Sequence, residues 1–295
     1  MKNNNLYFAA LLTHQKSKYL NEKLVHESFE SIVKHLGIKS SYVQIKDCYH
    51  EMDFTYFDIF RQYNQVVVLL ITQFTIYTKV FFKVSISNKI NVLKILLDVC
   101  FISIKRLILL FSATFSKKYR NILRSLVLRH SNISHNHISL LSKGVKNGKP
   151  RVLILEDDIV FKSLSDVQSG LEMVISAFDF NDEIKLMNIS ESFSLHQLGL
   201  DNFNTKMPLP RYSTHFTVYC INYPATNTVC ATMYRSEFIP DLLLQLQKMN
   251  PLSLVPIDIK INLALHRLVR NRVIVSSAYS TIIPGLFQQG SLINE

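Results

Sequence analysis

Glu156, Asp157 and Asp158 close the apolar run Val152 to Leu155, and apolar residues resume at Ile159. A short aliphatic run that ends this way predicts a buried strand delivering carboxylates at its carboxyl end. In an open α/β sheet that end is where ligands sit. Alternation along an extended chain puts Glu156 and Asp158 on one face and Asp157 on the other. Two carboxylates on one face suit Mg²⁺ or Mn²⁺, hard cations that prefer oxygen ligands and bridge protein carboxylates to phosphate oxygens. The same triplet also reads as a solvated acidic turn, and the spacing alone does not separate the two.

Strands alternating with helices must hold this corner, which predicts an α/β architecture. Leu6 to Leu12 reads as a first strand, Ser17 to Leu36 as a helix stopped by Gly37, and Tyr42 to Ile45 as a second strand. Such a β-α-β opening makes a right-handed crossover. Upstream of the carboxylates, Ser134-His135 precedes a helix-like stretch through Leu140, Leu141 and Val145, and Asn147-Gly148-Lys149-Pro150 breaks the chain before the strand. Downstream, the pattern predicts helices over 164–178, 238–249 and 258–270 and strands over 184–189, 216–221, 228–233 and 273–276, with a loop at 202–210.

The order of these pieces resembles the lipooligosaccharide galactosyltransferase family, which includes the bacterial transferases of glycosyltransferase family 25 and the collagen galactosyltransferases. The resemblance rests on Ser134-His135, the turn, and Leu155-Glu156-Asp157-Asp158. Three shorter echoes follow in order: Thr228 to Arg235, Pro256-Ile257-Asp258, and Pro284 to Ser291. It covers about residues 128–294, with typical members reaching the Ser-His pair after fewer residues.

The resemblance implies a single GT-A-like domain over 1–295, a mixed central sheet flanked by helices, with 60–127 as a helical, basic and apolar insertion. It implies an inverting glycosyltransferase that moves a sugar from a nucleotide-diphosphate donor to a glycan or glycolipid acceptor of a bacterial surface polysaccharide. Asp158 is then the direct metal ligand and Glu156 a second ligand or ribose contact. Asp157 orients the turn or reaches the metal through water. Ser134 and His135 lie near the donor, although Ser134 also reads as a helix N-cap and His135 as a packed or surface histidine. The acceptor hydroxyl needs a base within hydrogen-bond reach. Asp258 follows Pro256 and Glu191 closes a predicted strand, and both are candidates; Asp258 also reads as an ordinary N-cap. No GxGxxG or P-loop pattern is present, which excludes the usual dinucleotide and ATP readings.

The charge of +11 is concentrated. Lys79 to Arg129 holds eleven Lys or Arg against Asp98 alone, within a very apolar stretch. Basic and apolar together, with no Trp and no base-reading motif, suggest an anionic membrane surface and not nucleic acid. Amphipathic helices in the lipid interface and core helices with solvated basic edges both fit. A spanning helix tolerates Gln73, Lys79 and Lys83 poorly. Four scattered cysteines and an opening that reads as a strand point to a reduced, cytoplasmic setting, peripheral on the inner membrane face. Two other classes compete: a non-catalytic membrane-associated scaffold with a glycosyltransferase-like fold, and a metal-dependent nuclease or phosphatase, which needs further acidic ligands for a second metal.

Overall fold

The computed structural model describes residues 8–13, 27, 29–31, 34, 39–44, 54–156, 159–161, 163–190, 201–208, 215–221, 229–274, 279–281 and 286–288. Its centre is an eight-stranded mixed sheet built from β1 (Phe8–Thr13), β2 (Lys39–Gln44), β3 (Arg151–Glu156), β5 (Leu186–Asn188), β6 (Asp201–Pro208), β7 (His215–Ile221), β8 (Ala231–Arg235) and β9 (Tyr279–Ser280). The spatial order is β2-β1-β3-β8-β5-β9-β7-β6. β1 runs parallel to both β2 and β3, whereas β8 is antiparallel to β3 and β5. β4 (Ile159–Phe161) and β10 (Leu286–Gln288) form a separate antiparallel pair just beyond the acidic triplet.

Period-two alternation in β3 determines the layers. Leu153 and Leu155 pack with Val167, Leu171, Val174 and Phe178 of one helix, Leu164–Phe180. Val152 and Ile154 face the other way, into Leu140, Leu141, Leu242, Ile261 and Leu265. All four β3 side chains are at most 1 % exposed, and each such burial is worth about 1.5–3 kcal/mol. The result is a sheet covered by helices on both faces.

Three long helices precede β3: α1 (Tyr56–Lys83), α2 (Ile86–Phe115) and α3 (Lys117–Lys146). After it come α4 (Leu164–Phe180), α5 (Ile239–Gln247) and α6 (Ile257–Arg270). A capping box starts α1: the Thr55 hydroxyl accepts from the Asp58 amide at 3.3 Å, and the Asp58 carboxylate accepts from the Thr55 amide at 2.9 Å. α1 and α2 form a hairpin whose seam is Val66, Val80, Val92 and Leu110. The amino-terminal half of α3 closes this arm through Leu123 and Val127, and its carboxyl-terminal half lies on the sheet through Leu140 and Leu141. The arm is tied to the segment before α6: the buried Gln62 amide donates to Leu252 O at 3.0 Å and accepts from Leu254 N at 2.9 Å.

Several expectations are corrected. Ser134 and His135 do not open a helix: α3 runs unbroken from Lys117 to Lys146, and its buried face continues from Leu123 through Ser134, His137 and Leu141 to Gly144. The stretch 201–208 is a strand, not a loop. It is the outermost strand of the sheet, where one edge is unpaired and a polar sequence with Pro208 at its end is tolerated. Val273 and Ile274 are not strand. There the chain turns out of α6 through Arg272 at φ 58°, a left-handed residue that stops the helix.

Candidate functional site

The sheet changes direction of growth at β1, which sends the chain to β2 on one side and to β3 on the other. Ligands of open α/β sheets occupy the crevice outside the carboxyl ends of strands at such a switch point. Glu156 is there: it ends β3, pairs in register with Leu12, and donates its amide to Cys230 O at 2.7 Å. Its side chain keeps 19 % exposure at the edge of an otherwise closed core.

Beneath Glu156 sits a small buried polar group. Alternation places Thr232 and Tyr234 of β8 on the same face as Val152, Ile154 and Glu156, under α3. His137 of α3 completes the group, with Nδ1 3.9 Å from Glu156 Oε1. His137 is fully buried, and burial lowers its pKa to about 4, so the imidazole is neutral at pH 7. Among the described residues neither of its ring nitrogens has a hydrogen-bond partner. Burial pushes the Tyr234 hydroxyl far up, and the neighbouring Glu156 carboxylate adds to the shift. An orphaned neutral imidazole beside a carboxylate is the protonation state in which histidine approaches a metal, and carboxylate oxygen is the donor Mg²⁺ and Mn²⁺ prefer. Glu156 thus offers one oxygen donor at this strand end, with His137 buried beneath it. Among the described residues no group of three His, Cys, Asp or Glu side chains comes together; Asp157 and Asp158 lie outside the described residues, as does Glu191.

A second polar group lies where α6 meets the arm. Asp258 is in the first turn of α6, as the sequence predicts, but the cap position belongs to Pro256, so Asp258 is not the N-cap. Burial raises its carboxyl pKa, opposed by backbone amides including that of Ile259 and by the Arg106 guanidinium from α2. A carboxyl raised towards neutrality is what a general base needs. Lys260, one turn into α6, is 4 % exposed; burial lowers its pKa to about 8, and its Nζ donates to Ser134 Oγ at 3.2 Å. His130 of α3 is likewise held at about 4, by burial and then by Arg106, Arg129 and Lys260.

The structure thus separates the predicted residues. Glu156 lies beside His137 without a hydrogen bond between them, Ser134 is bonded to Lys260, and His135 is exposed. Ser134 and His137 are one turn apart on α3, so this helix links the two groups. The residues predicted from the sequence do not include His137, Lys260, Arg106 or Tyr234. The signal for His137 was available: Ser134, His137, Leu141 and Gly144 share one helix face by their three- and four-residue spacing. Arg106 gave no such signal, because only the folded arm brings it to Asp258.

Among the described residues one helix, α1, is long and apolar enough to cross a membrane by length and composition, and 17 % of that apolar window is buried. Cys100, Cys220 and Cys230 are thiols. No protein-family model matches the chain, and no curated protein matches it at a significant level.

Proposed function

We propose that the chain is a metal-assisted, inverting glycosyltransferase of the GT-A type that lengthens a lipid-linked surface glycan at the cytoplasmic face of a bacterial membrane. One observation carries this reading: Glu156, the first of three consecutive carboxylates, stands at the carboxyl end of a buried strand at the switch point of the sheet. The family-25-like order of Ser134-His135, Leu155 to Asp158 and Pro256 to Asp258 supports it. The apolar, basic arm supports a site of action at the membrane surface, with α1 to α3 lying on anionic lipid.

In this reading Glu156 and Asp158 hold the cation, with Asp157 setting the turn, and His137 braces Glu156 from below. A bound Mn²⁺ or Mg²⁺ supplies Lewis-acid neutralisation of the departing diphosphate. The protein supplies the rest. The acceptor hydroxyl oxygen forms a bond to the anomeric carbon as the bond to the diphosphate breaks, and the hydroxyl proton passes to a carboxylate. Asp258 is the preferred base, since burial already raises its proton affinity; Glu191 is the alternative. Ser134 and Lys260 fix α3 against α6 and hold the two groups in register.

The test is release of nucleotide diphosphate from a panel of uridine, cytidine and guanosine diphosphate sugars, with and without Mn²⁺. Metal-dependent turnover of one donor is expected. No turnover together with no metal-dependent nucleotide binding overturns the reading in favour of a scaffold that keeps the fold without the chemistry.

A further inference from the structure

A trough of about 1190 Å³ runs between α1 and α6 and is closed at one side by the turn after α5. It exceeds the ~300–1,000 Å³ of ordinary small-molecule pockets. Arg61 and Lys79 mark its extent on α1, eighteen residues apart and so about 27 Å along the axis. Between them α1 presents Val68, Leu69, Ile71 and Ile76 at helical spacing. Val68 and Ile71 are 56 % and 61 % exposed, so the apolar wall continues onto the outer surface of the arm.

The charge on the opposite wall is one-sided. Lys248, Lys260, Arg267 and Arg270 join Arg61 and Lys79, and among the described residues no Asp or Glu lines the trough. None of these six cations forms an ion pair among the described residues; Lys260 is satisfied only by the Ser134 hydroxyl. Arg267 and Arg270 follow one another by three residues on α6, next to Leu263 and His266 on the same face. His266 is neutral, its pKa lowered by burial to about 4. Six uncompensated cations in one concavity focus a positive potential and raise the local concentration of anions, while the aliphatic wall favours a tail.

We propose that this trough binds an amphiphile with a phosphate-bearing head and a single-file apolar tail, the head on the α6 cations and the tail along Val68, Ile71 and Ile76. Lipid monophosphates have this chemistry. Glu156 is not among the residues that line the trough, and the inference stands whether or not the chain transfers sugar.

Binding to the full chain in a neutral detergent is measured for three probes below their micelle concentrations: lysophosphatidic acid, lysophosphatidylcholine of the same chain length, and glycerol 3-phosphate. Lysophosphatidic acid is expected to bind at least tenfold more tightly than either of the others. The exposed pair Arg267→Gln with Arg270→Gln leaves the core untouched and is expected to weaken it about 30-fold. Val68→Asn with Ile71→Asn, also exposed, is expected to weaken it without changing glycerol 3-phosphate. Equal binding of glycerol 3-phosphate assigns the trough to a free phosphate and overturns the lipid reading. Equal binding of lysophosphatidylcholine, or no change in the arginine variant, places the lipid on the arm's outer surface and overturns the site.

Discussion

The sheet region and the helical arm both carry long apolar runs, yet they treat them in opposite ways. Around β3 both faces are covered, and Val152 to Leu155 lose almost all contact with solvent. In the arm only the seam between helices closes, and the outward faces keep Ile86 at 83 %, Phe115 at 76 % and Phe82 at 74 % exposure. Among the described residues twenty of the twenty-three exposed large hydrophobic side chains lie between Tyr56 and Ile122, in the arm. Soluble monomers rarely leave so much contiguous apolar surface in water. Among the described residues nothing covers the arm's outward face, and under the function proposed above that face rests on lipid. Exposed Lys83, Lys94, Lys117 and Lys118 add the charge that an anionic lipid face attracts.

The sharpest separation of the two regions is chemical. Asp158→Ala removes the proposed direct metal ligand from the sheet region. A cation stabilising developing charge is worth several kcal/mol, on the order of 10³-fold or more in rate. Sugar transfer is expected to vanish while vesicle binding and the unfolding midpoint stay put. Retained turnover ends the metal assignment.

The reciprocal experiment acts on the arm. Replacing Lys117, Lys118, Arg120 and Arg124 by Gln follows from the basic stripe in the sequence, but Arg120 has internal work. Its Nε donates to Ala113 O at 3.2 Å and its guanidinium to the Tyr56 hydroxyl at 2.6 Å, stacking 4.2 Å over that ring. It ties the end of α2 to the start of α1. The exposed set Lys83, Lys94, Lys117 and Lys118 changed to Gln is the cleaner test. At about 1 kcal/mol per cation near a lipid surface, partition into anionic vesicles should fall roughly several-hundred-fold at low salt. Unchanged co-sedimentation favours a purely structural arm.

A third comparison uses pH. His137 is buried and neutral under the sheet's polar edge, with a folded pKa of about 4 against 6.5 in the ordinary state. The unfolded chain therefore takes up the proton first as pH falls. Its contribution is intact above about pH 6.5 and is lost on the way down to pH 4, by about 2–3 kcal/mol at pH 4.5. Denaturant unfolding at pH 7 and 4.5, in the parent and in His137→Phe, isolates this share. An equal acid loss in both removes His137 from the site.

Much of the sheet region was legible because its pattern is local. The aliphatic β3 with its acidic end, the 3.6-residue periods of α4 and α6, and Pro256 before Asp258 each announce themselves within a few residues. What escaped depends on neighbours. The Asn- and Lys-bearing strand 201–208 is possible only as a sheet edge, and no local pattern says which strand is outermost. Ser134 has the chemistry of a capping residue, but α3 runs straight through it and holds it mid-helix against Lys260. The pairing of Arg106 with Asp258 spans 152 positions and requires the arm to be folded.

The smallest effect tests the joint between the regions. α3 crosses β3 at Gly144, where an added Cβ would stand 2.9 Å from Val152 Cγ1 and closer still to Cγ2. Only a residue without a side chain lets the helix approach this far, and the approach seven residues earlier sets His137 over Glu156. Gly144→Ala gains about 1 kcal/mol of helix propensity yet must push α3 off the strand, at about 1–3 kcal/mol of overpacking, a net cost of up to about 2 kcal/mol. Val152→Ala alone opens a cavity and also destabilises. Together the two should cost less than their sum, because the new methyl fills the space Val152 leaves. Strict additivity in chemical unfolding means that this contact does not set the height of α3 above the sheet, and that the arm and the acidic corner are positioned independently.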